Sequence, residues 1–272
     1  YNDCWHPNEF GHRVGADEIF NWLIKDSPWR TVKEIPSAVP DFLAARADLV
    51  AGFDCLRRGD YQGLESFYRE SILHAPVYAQ YASYSCVHAA RRLCGESKYD
   101  EALHLARLAA EWSPEDPQAL LEISRSLKHV GTRDEAIQAY RHFITTKGTL
   151  PPAGKNDIEL AEAWEEVGNL LAQEDPKEAL SAWDNSIRSA PWFSKAYDAF
   201  EGAYLAKGDG AGLIVRYKDF LQEKPEEEVL FQRLTKVLLQ AGDAEQAGSY
   251  LTRALELYPD SYPLRQIRED WW

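Results

Sequence analysis

Two side chains near the start of the sequence, Asp3 and His6, have the types and spacing of a catalytic carboxylate and base. A carboxylate that holds an imidazole in one tautomer leaves the other ring nitrogen free to take a proton from a nucleophile. Residues three apart on a loop before a helix can present both side chains to one cleft. The pattern predicts the base half of a triad, while a plain loop in front of an amphipathic helix is the alternative reading.

The element that must position these two residues is a helix predicted over residues 9–24. Pro7 gives the chain a rigid entry, and Asn8 is a favourable N-cap. An apolar stripe follows at helical spacing, formed by Phe10, Val14, Ile19, Phe20 and Leu23.

The longer pattern Asp3-x-x-His6-Pro7-Asn8-x-x-Gly11-His12 resembles the last conserved block of the SGNH (GDSL-type) hydrolases, a family of ester hydrolases. The resemblance covers residues 1–24. It implies that Asp3 orients the general base His6, and that this stretch is the last loop and helix of a truncated α/β domain. The family's nucleophilic serine comes from a Gly-Asp-Ser block, which this sequence does not contain.

The chain as it stands is therefore expected to be inactive as an esterase. The resemblance implies that its parent is a serine ester hydrolase, which uses no metal or organic cofactor. The sequence contains no methionine, so we expect a fragment of a longer protein or a processed product. Residues 25–44, which include Pro28, Pro36 and Pro40, are predicted to be a linker.

A period of 34 residues organises the rest of the sequence. Pro191, Pro225 and Pro259 follow one another at this step, and Gly208-Asp209 recurs as Gly242-Asp243. Units of this length cannot bury their apolar faces alone and stack on their neighbours. The period predicts an array of stacked repeats from about residue 45 onward.

The 34-residue period resembles that of the tetratricopeptide repeat (TPR) family, whose unit is a helix-turn-helix. The clearest unit contains Trp164, Gly168, Ala179 and Trp183. The resemblance implies an all-α fold, a superhelical solenoid of about six repeats with a partial capping helix over 262–272. The predicted repeats are 45–78, 83–116, 117–150, 161–193, 194–227 and 228–261, with surplus residues over 77–82 and 146–157.

The resemblance also implies that the first helix of each repeat lines a groove that takes extended peptides. The groove positions in this sequence are Tyr84, His88, Arg91, Arg125, Lys128, His129 and Asn169, with Glu162, Glu165 and Glu166 beside them. Because Arg can hold carboxylates bidentately, the basic stretch predicts a peptide or protein partner that is acidic. A solvated helix face is the alternative reading of these charges.

Composition narrows the classes of partner. A formal net charge of −14 repels phosphate backbones, which argues against nucleic acid. No apolar run reaches the roughly 18 residues of a membrane span. The four cysteines lack Cys-x-x-Cys spacing, so we expect neither a metal site nor a disulfide framework. The sequence does not indicate the cellular compartment. It also leaves open whether the chain is the scaffold part of an esterase or a TPR adaptor without catalytic function.

Overall fold

The computed structural model describes residues 38–150, 157–193 and 195–271, with side chains from Leu43 onward. This part of the chain is built of α-helices and one 3-10 helix, without a strand. It divides into two compact units between Tyr78 and Ala79. Asp3, His6 and the helix predicted over 9–24 lie outside the described residues.

The first unit contains one helix pair. Helices α1 (Ala38–Arg58) and α2 (Tyr61–His74) pack against each other, and a 3-10 helix (Pro76–Tyr78) contacts α2. Gly52 lies where the pair approaches closely, because a Cβ there would overlap the buried Tyr68 ring. The hydroxyl of Ser71 donates to the carbonyl of Ala45 at 2.7 Å, so a buried hydrogen bond also joins the two helices.

The second unit contains five further helix pairs and a last helix. The helices, in chain order, are α3 (Ala79–Gly95), α4 (Tyr99–Trp112), α5 (Pro117–Val130), α6 (Arg133–Gly148), α7 (Ile158–Leu171), α8 (Pro176–Ser189), α9 (Lys195–Ala206), α10 (Gly210–Glu223), α11 (Glu228–Gln240), α12 (Ala244–Leu257) and α13 (Tyr262–Trp271). Each helix contacts the next along the chain. The second helices α8, α10 and α12 begin at 176, 210 and 244, two steps of 34 residues. This is the tandem helix-pair arrangement that a TPR-type period predicts, and the all-α prediction is confirmed for the described residues.

Aspartate side chains begin many of the helices. Each accepts a hydrogen bond from a backbone N–H two or three residues further on, which satisfies one of the donors that a helix start leaves unpaired. The capping residues of this kind are Asp60, Asp116, Asp157, Asp175, Asp209 and Asp243. Helix α6 begins instead with a capping box made by Thr132 and Glu135.

One apolar core runs through the second unit from α5 to α13. Tyr140, Trp183 and Tyr217 are buried in it and Trp164 packs against it, as expected for aromatic residues at helical spacing. Gly168 lets α7 approach α8, because a Cβ there would lie 2.5 Å from Nε1 of Trp183. Small and large residues therefore alternate where helices meet.

Several element boundaries differ from those predicted. The last seven residues of the predicted linker, 38–44, belong to α1, because a proline in the first turn of a helix leaves no ladder hydrogen bond unmade. Helix α3 begins at Ala79 rather than at residue 83, so the surplus over 77–82 becomes a 3-10 turn and an extra helical turn. Helix α6 continues to Gly148, into the insertion predicted over 146–157, and α7 begins at Ile158, three residues before the predicted repeat.

Candidate interaction face

The first helices of successive pairs form one connected surface in the second unit. Helix α3 contacts α5, and α7 contacts α9. Helices α5 and α7 are joined by side-chain hydrogen bonds. We call this surface the first-helix face and define it by Tyr84, His88, Arg91, Gln118, Arg125, Lys128, Glu162, Glu166 and Asn169.

Helix α3 contributes one exposed stripe to this face. Tyr81, Tyr84, His88 and Arg91 are exposed, while the residues between them are mostly buried. The spacing of three or four residues places all four on one side of the helix. The rings of Tyr84 and His88 lie 4.3 Å apart. Neighbouring atoms partly desolvate the His88 ring and, together with the nearby Arg91 charge, outweigh the opposite effect of Glu122 and lower the pKa of His88, which favours the neutral imidazole.

Arg91 and Arg125 share one carboxylate between α3 and α5. Oε1 of Glu122 accepts from Nε of Arg91 and from NH1 of Arg125, at 2.8 Å in both cases. The Glu122 side chain is fully buried, and its Oε2 has no hydrogen-bond partner in the structure. A buried charge of this kind is stable only when it is paired, so both guanidiniums have a structural role.

Arg125 continues the chain of charges to α7. Its Nε and NH2 donate to the two oxygens of Glu162 at 2.9 and 2.6 Å, which is a bidentate pair. Burial acts to lower the pKa of Arg125, but Glu162 and Glu122 outweigh it and raise the pKa. We call the four residues that are linked in this order the charge ladder: Arg91, Glu122, Arg125 and Glu162.

Two further links follow the charge ladder. Nζ of Lys128 lies 2.6 Å from Glu166. Nε2 of Gln118 donates to both oxygens of Glu159, at 2.9 and 2.8 Å, and Lys147 donates to one of them at 3.0 Å. Burial acts to raise the pKa of Glu159, but these donors outweigh it and lower the pKa. The three cations predicted to form a basic patch thus each hold a carboxylate of the same chain.

Asn169 lies at the other end of the face, between α7 and α8. Its Oδ1 accepts from Nε1 of Trp183 at 3.0 Å, and its Nδ2 lies 3.5 Å from Oε1 of Glu165. Glu165 is only 8% exposed. Burial and the Glu166 charge raise its pKa, against the smaller effects of Lys195 and Asn169.

The structure thus divides the predicted groove residues into groups. Arg91, Arg125 and Lys128 lie together with acidic partners, and Tyr84 lies with His88. His129 is separate, because its ring stacks on Tyr99 of α4 with centroids 3.9 Å apart.

Sequence reasoning did not find Glu122 and Glu159 as partners of this face. A weak signal was present, because Glu122 lies 31 residues from Arg91 and Glu159 lies 41 residues from Gln118, each within about two helical turns of one repeat length. Polar partners about one period apart fall on neighbouring first helices. The burial of Glu122 leaves no such trace in the sequence.

Within the described ranges, no group of three His, Cys, Asp or Glu side chains is arranged to hold a metal ion. Among the described residues, Cys55 and Cys86 are buried and Cys94 is partly buried, each as a thiol and not in a disulfide. None of the described helices has the length and apolar character needed to cross a membrane.

The sequence matches no protein-family profile and no curated protein. Solved structures similar to it include PilF from Pseudomonas aeruginosa, 16% identical with a TM-score of 0.45 over 85% of this chain and 99% of that one. MamA from Desulfovibrio magneticus RS-1 is 20% identical with a TM-score of 0.40, covering 66% and 98%. TTC0263, a TPR protein from Thermus thermophilus, is 20% identical with a TM-score of 0.36, covering 70% and 98%. At these identities the likeness concerns the fold alone.

Proposed function

We propose that this chain is a protein-interaction scaffold that binds an extended peptide or protein segment on its first-helix face. The observation that carries the proposal is the connection of this face from α3 to α9 by helix contacts and hydrogen bonds. A connected, polar surface with exposed aromatic rings suits an extended segment, which needs several contact points along its length.

A selection experiment tests this proposal. Random peptides displayed on phage would be selected on the immobilised chain, and the winners mapped by amide hydrogen exchange. We expect protection on α3, α5, α7 and α9. Binding should fall on Tyr84→Ala and stay unchanged on Val215→Ala, which truncates an equally exposed side chain on the second helix α10. No enrichment, or protection confined to the second helices, would contradict the proposal.

The finer proposal of an acidic partner rests on Arg91, Arg125 and Lys128. In the structure these cations already hold Glu122, Glu162 and Glu166. An acidic ligand must displace one of these carboxylates, which leaves a charge unpaired and is costly where Glu122 is buried. Binding of an acidic peptide that Arg91→Gln abolishes would support this finer proposal, and preference for a basic peptide would contradict it.

A second candidate function is that the scaffold is the C-terminal part of an SGNH-type ester hydrolase. The observation that favours it is the pattern from Asp3 to His12, which lies outside the described residues. Asp3 and His6 would orient and deprotonate a serine supplied by the parent. Hydrolysis of p-nitrophenyl acetate by the parent, lost on His6→Ala and Asp3→Asn, is the expected result. An unchanged rate in His6→Ala would remove this candidate.

A further inference from the structure

Helix α1 exposes an apolar stripe in the first unit. Its residues Leu43, Val50 and Phe53 are 41%, 52% and 39% exposed. Residues three and seven apart lie on one side of a helix, and Leu43 and Val50 are about 10.5 Å apart along the axis. The Phe53 ring meets the buried Tyr68 ring edge-on, with centroids 5.8 Å apart. The stripe therefore adjoins the core of this helix pair.

The second unit carries polar and charged residues at the equivalent positions. The residues with positive φ after α1 and α3 are numbers 59 and 97, 38 positions apart. At this step Val50 corresponds to His88 and Phe53 to Arg91. Arg91 is held by Glu122. An ion pair thus satisfies this place in the second unit, whereas apolar side chains need an apolar cover in the first unit.

The sequence directly before α1 carries a matching set of apolar side chains. Trp29, Val32 and Ile35 recur every third residue between Pro28 and Pro36. Flanking prolines favour the polyproline II conformation, which has three residues per turn and rises about 3.1 Å per residue. The three apolar side chains would then lie on one side of the segment, about 9.3 Å apart. The charged residues that alternate with them would lie on its other sides, and these are Arg30, Lys33 and Glu34.

We propose that residues 28–36 run back along α1 as a strap and cover its apolar stripe. Only Ser37 separates this segment from the start of α1. Burial of apolar surface on both partners stabilises the docked strap. The strap holds the preceding residues, which include Asp3 and His6, against the first unit instead of on a free tether. This inference goes beyond the scaffold function and does not depend on it.

The reach of the chain allows this course. Trp29 lies nine residues before Ala38, which is about 28 Å in the polyproline II conformation. Val50 lies twelve residues after Ala38, about 18 Å along the axis of α1. An antiparallel strap therefore brings Trp29 to Val50 and Phe53. Its side-chain spacing of about 9.3 Å is also close to the 10.5 Å between Leu43 and Val50.

Photo-cross-linking on the full chain tests the strap. With p-benzoylphenylalanine in place of Trp29, we expect cross-links to residues 43–57 of the same chain. The same probe in place of Arg30 is the matched control and should give a yield at least about fivefold lower, because it lies on another side of the strap. Mixing isotope-labelled and unlabelled copies separates cross-links within one chain from those between two. Equal yields from both positions, absence of cross-links to α1, or cross-links between copies only would overturn the inference.

Substitutions on α1 test the surface itself. Val50→Asp should lower the cross-link yield from position 29 and raise the amide exchange rates of α1, each about tenfold, because the strap would have to bury a charge. Val215→Asp makes the same change at a valine of similar exposure on α10, 56% against 52%, and should alter neither. Both valines are exposed, so we expect both variants to keep the helix content of the wild type.

Substitutions in the strap complete the test. Trp29→Ala should raise the exchange rates of the α1 amides about tenfold, because it removes the largest buried side chain of the strap. Arg30→Ala should leave these rates unchanged. If Trp29→Ala and Val50→Asp both leave the exchange of α1 as it is in the wild type, the strap does not cover α1.

Discussion

At the scale of single residues, two glycines one period apart have opposite roles. Gly168 faces the Trp183 ring, whereas Gly202 faces open space. Gly168→Ala should push the indole away from Asn169 and destabilise the fold by about 1–3 kcal/mol. Gly202→Ala should stabilise it by about 0.5–1 kcal/mol, because alanine is the better helix former. Urea denaturation measures the free energy of unfolding of both variants. Changes of the same sign would show that the surroundings of the two glycines do not differ in this way.

Glu165 gives a pH dependence whose sign follows from its raised pKa. A carboxyl group with a higher pKa in the folded than in the unfolded chain takes up a proton on folding, so stability falls as pH rises through 4.5 and above. Glu165→Gln removes this loss. We expect its melting temperature to exceed that of the wild type at pH 7 and to match it below about pH 4. A gain of equal size at both pH values would mean that charge burial is not the cause.

At the scale of elements, the turn between α3 and α4 departs from its equivalents. Gly59, Gly208 and Gly242 take positive φ in the turns that end α1, α9 and α11. Ser97 takes the same place with φ 60, and the next amide again donates to the carbonyl five residues back. A non-glycine residue in the left-handed region costs about 1–2 kcal/mol. Ser97→Gly should therefore stabilise the chain by about 1 kcal/mol, and Gly242→Ser should destabilise it by a similar amount. Thermal denaturation of the two variants measures these opposite changes. A lower melting temperature in both would show that Ser97 makes a contact that outweighs its backbone strain.

The charge ladder makes a second prediction at this scale. Arg125→Ala leaves Glu122 with one partner and Glu162 unpaired, so we expect a loss of about 3 kcal/mol in the free energy of unfolding. Lys128→Ala is the control, because its partner Glu166 keeps some exposure to solvent whereas Glu122 is fully buried, so the loss should be smaller, about 1 kcal/mol. Combining Arg125→Ala with Glu122→Gln should recover part of the loss in a double-mutant cycle. Equal losses in the two single variants would show that burial of Glu122 does not matter.

The elements show how far sequence reasoning reaches. The 34-residue period predicted helix pairs and core aromatics, because burial against a neighbour imposes that spacing on apolar residues. It placed α3 four residues late, since neither a proline nor a cap marks Ala79 as a start. The TPR resemblance identified Arg91, Arg125 and Lys128 as face residues but did not establish that acidic side chains of the same chain already hold them. Ion pairs depend on side-chain reach and depth, which the period does not encode.

At the scale of the whole molecule, the core of the second unit is uneven. Helices α3 and α4 bury mostly small side chains, among them Ala82, Ala90, Ala102, Ala106 and Ala109. Helices α9 to α11 bury Tyr197, Phe200, Tyr217, Phe220 and Phe231. Burying a large apolar side chain contributes about 1.5–3 kcal/mol, much more than an alanine methyl group does. In a repeat array, the total stability is approximately the sum of the stability of each repeat and of its interfaces with its neighbours. A difference in core packing therefore affects mainly the repeats in which it occurs.

Amide hydrogen exchange should therefore show a gradient along the second unit. We expect α3 and α4 to open with a free energy at least about 2 kcal/mol below that of α9 to α11, although all of these helices have paired backbones. Phe200→Ala should lower the protection of α9 to α11 and leave α3 unaffected, whereas Cys86→Ala should affect α3 and α4 alone. Uniform protection that both substitutions lower equally would instead mean that the second unit unfolds as a single cooperative body. Because a partner segment must order the helices that it crosses, the gradient also predicts that binding protects α3 more than α9.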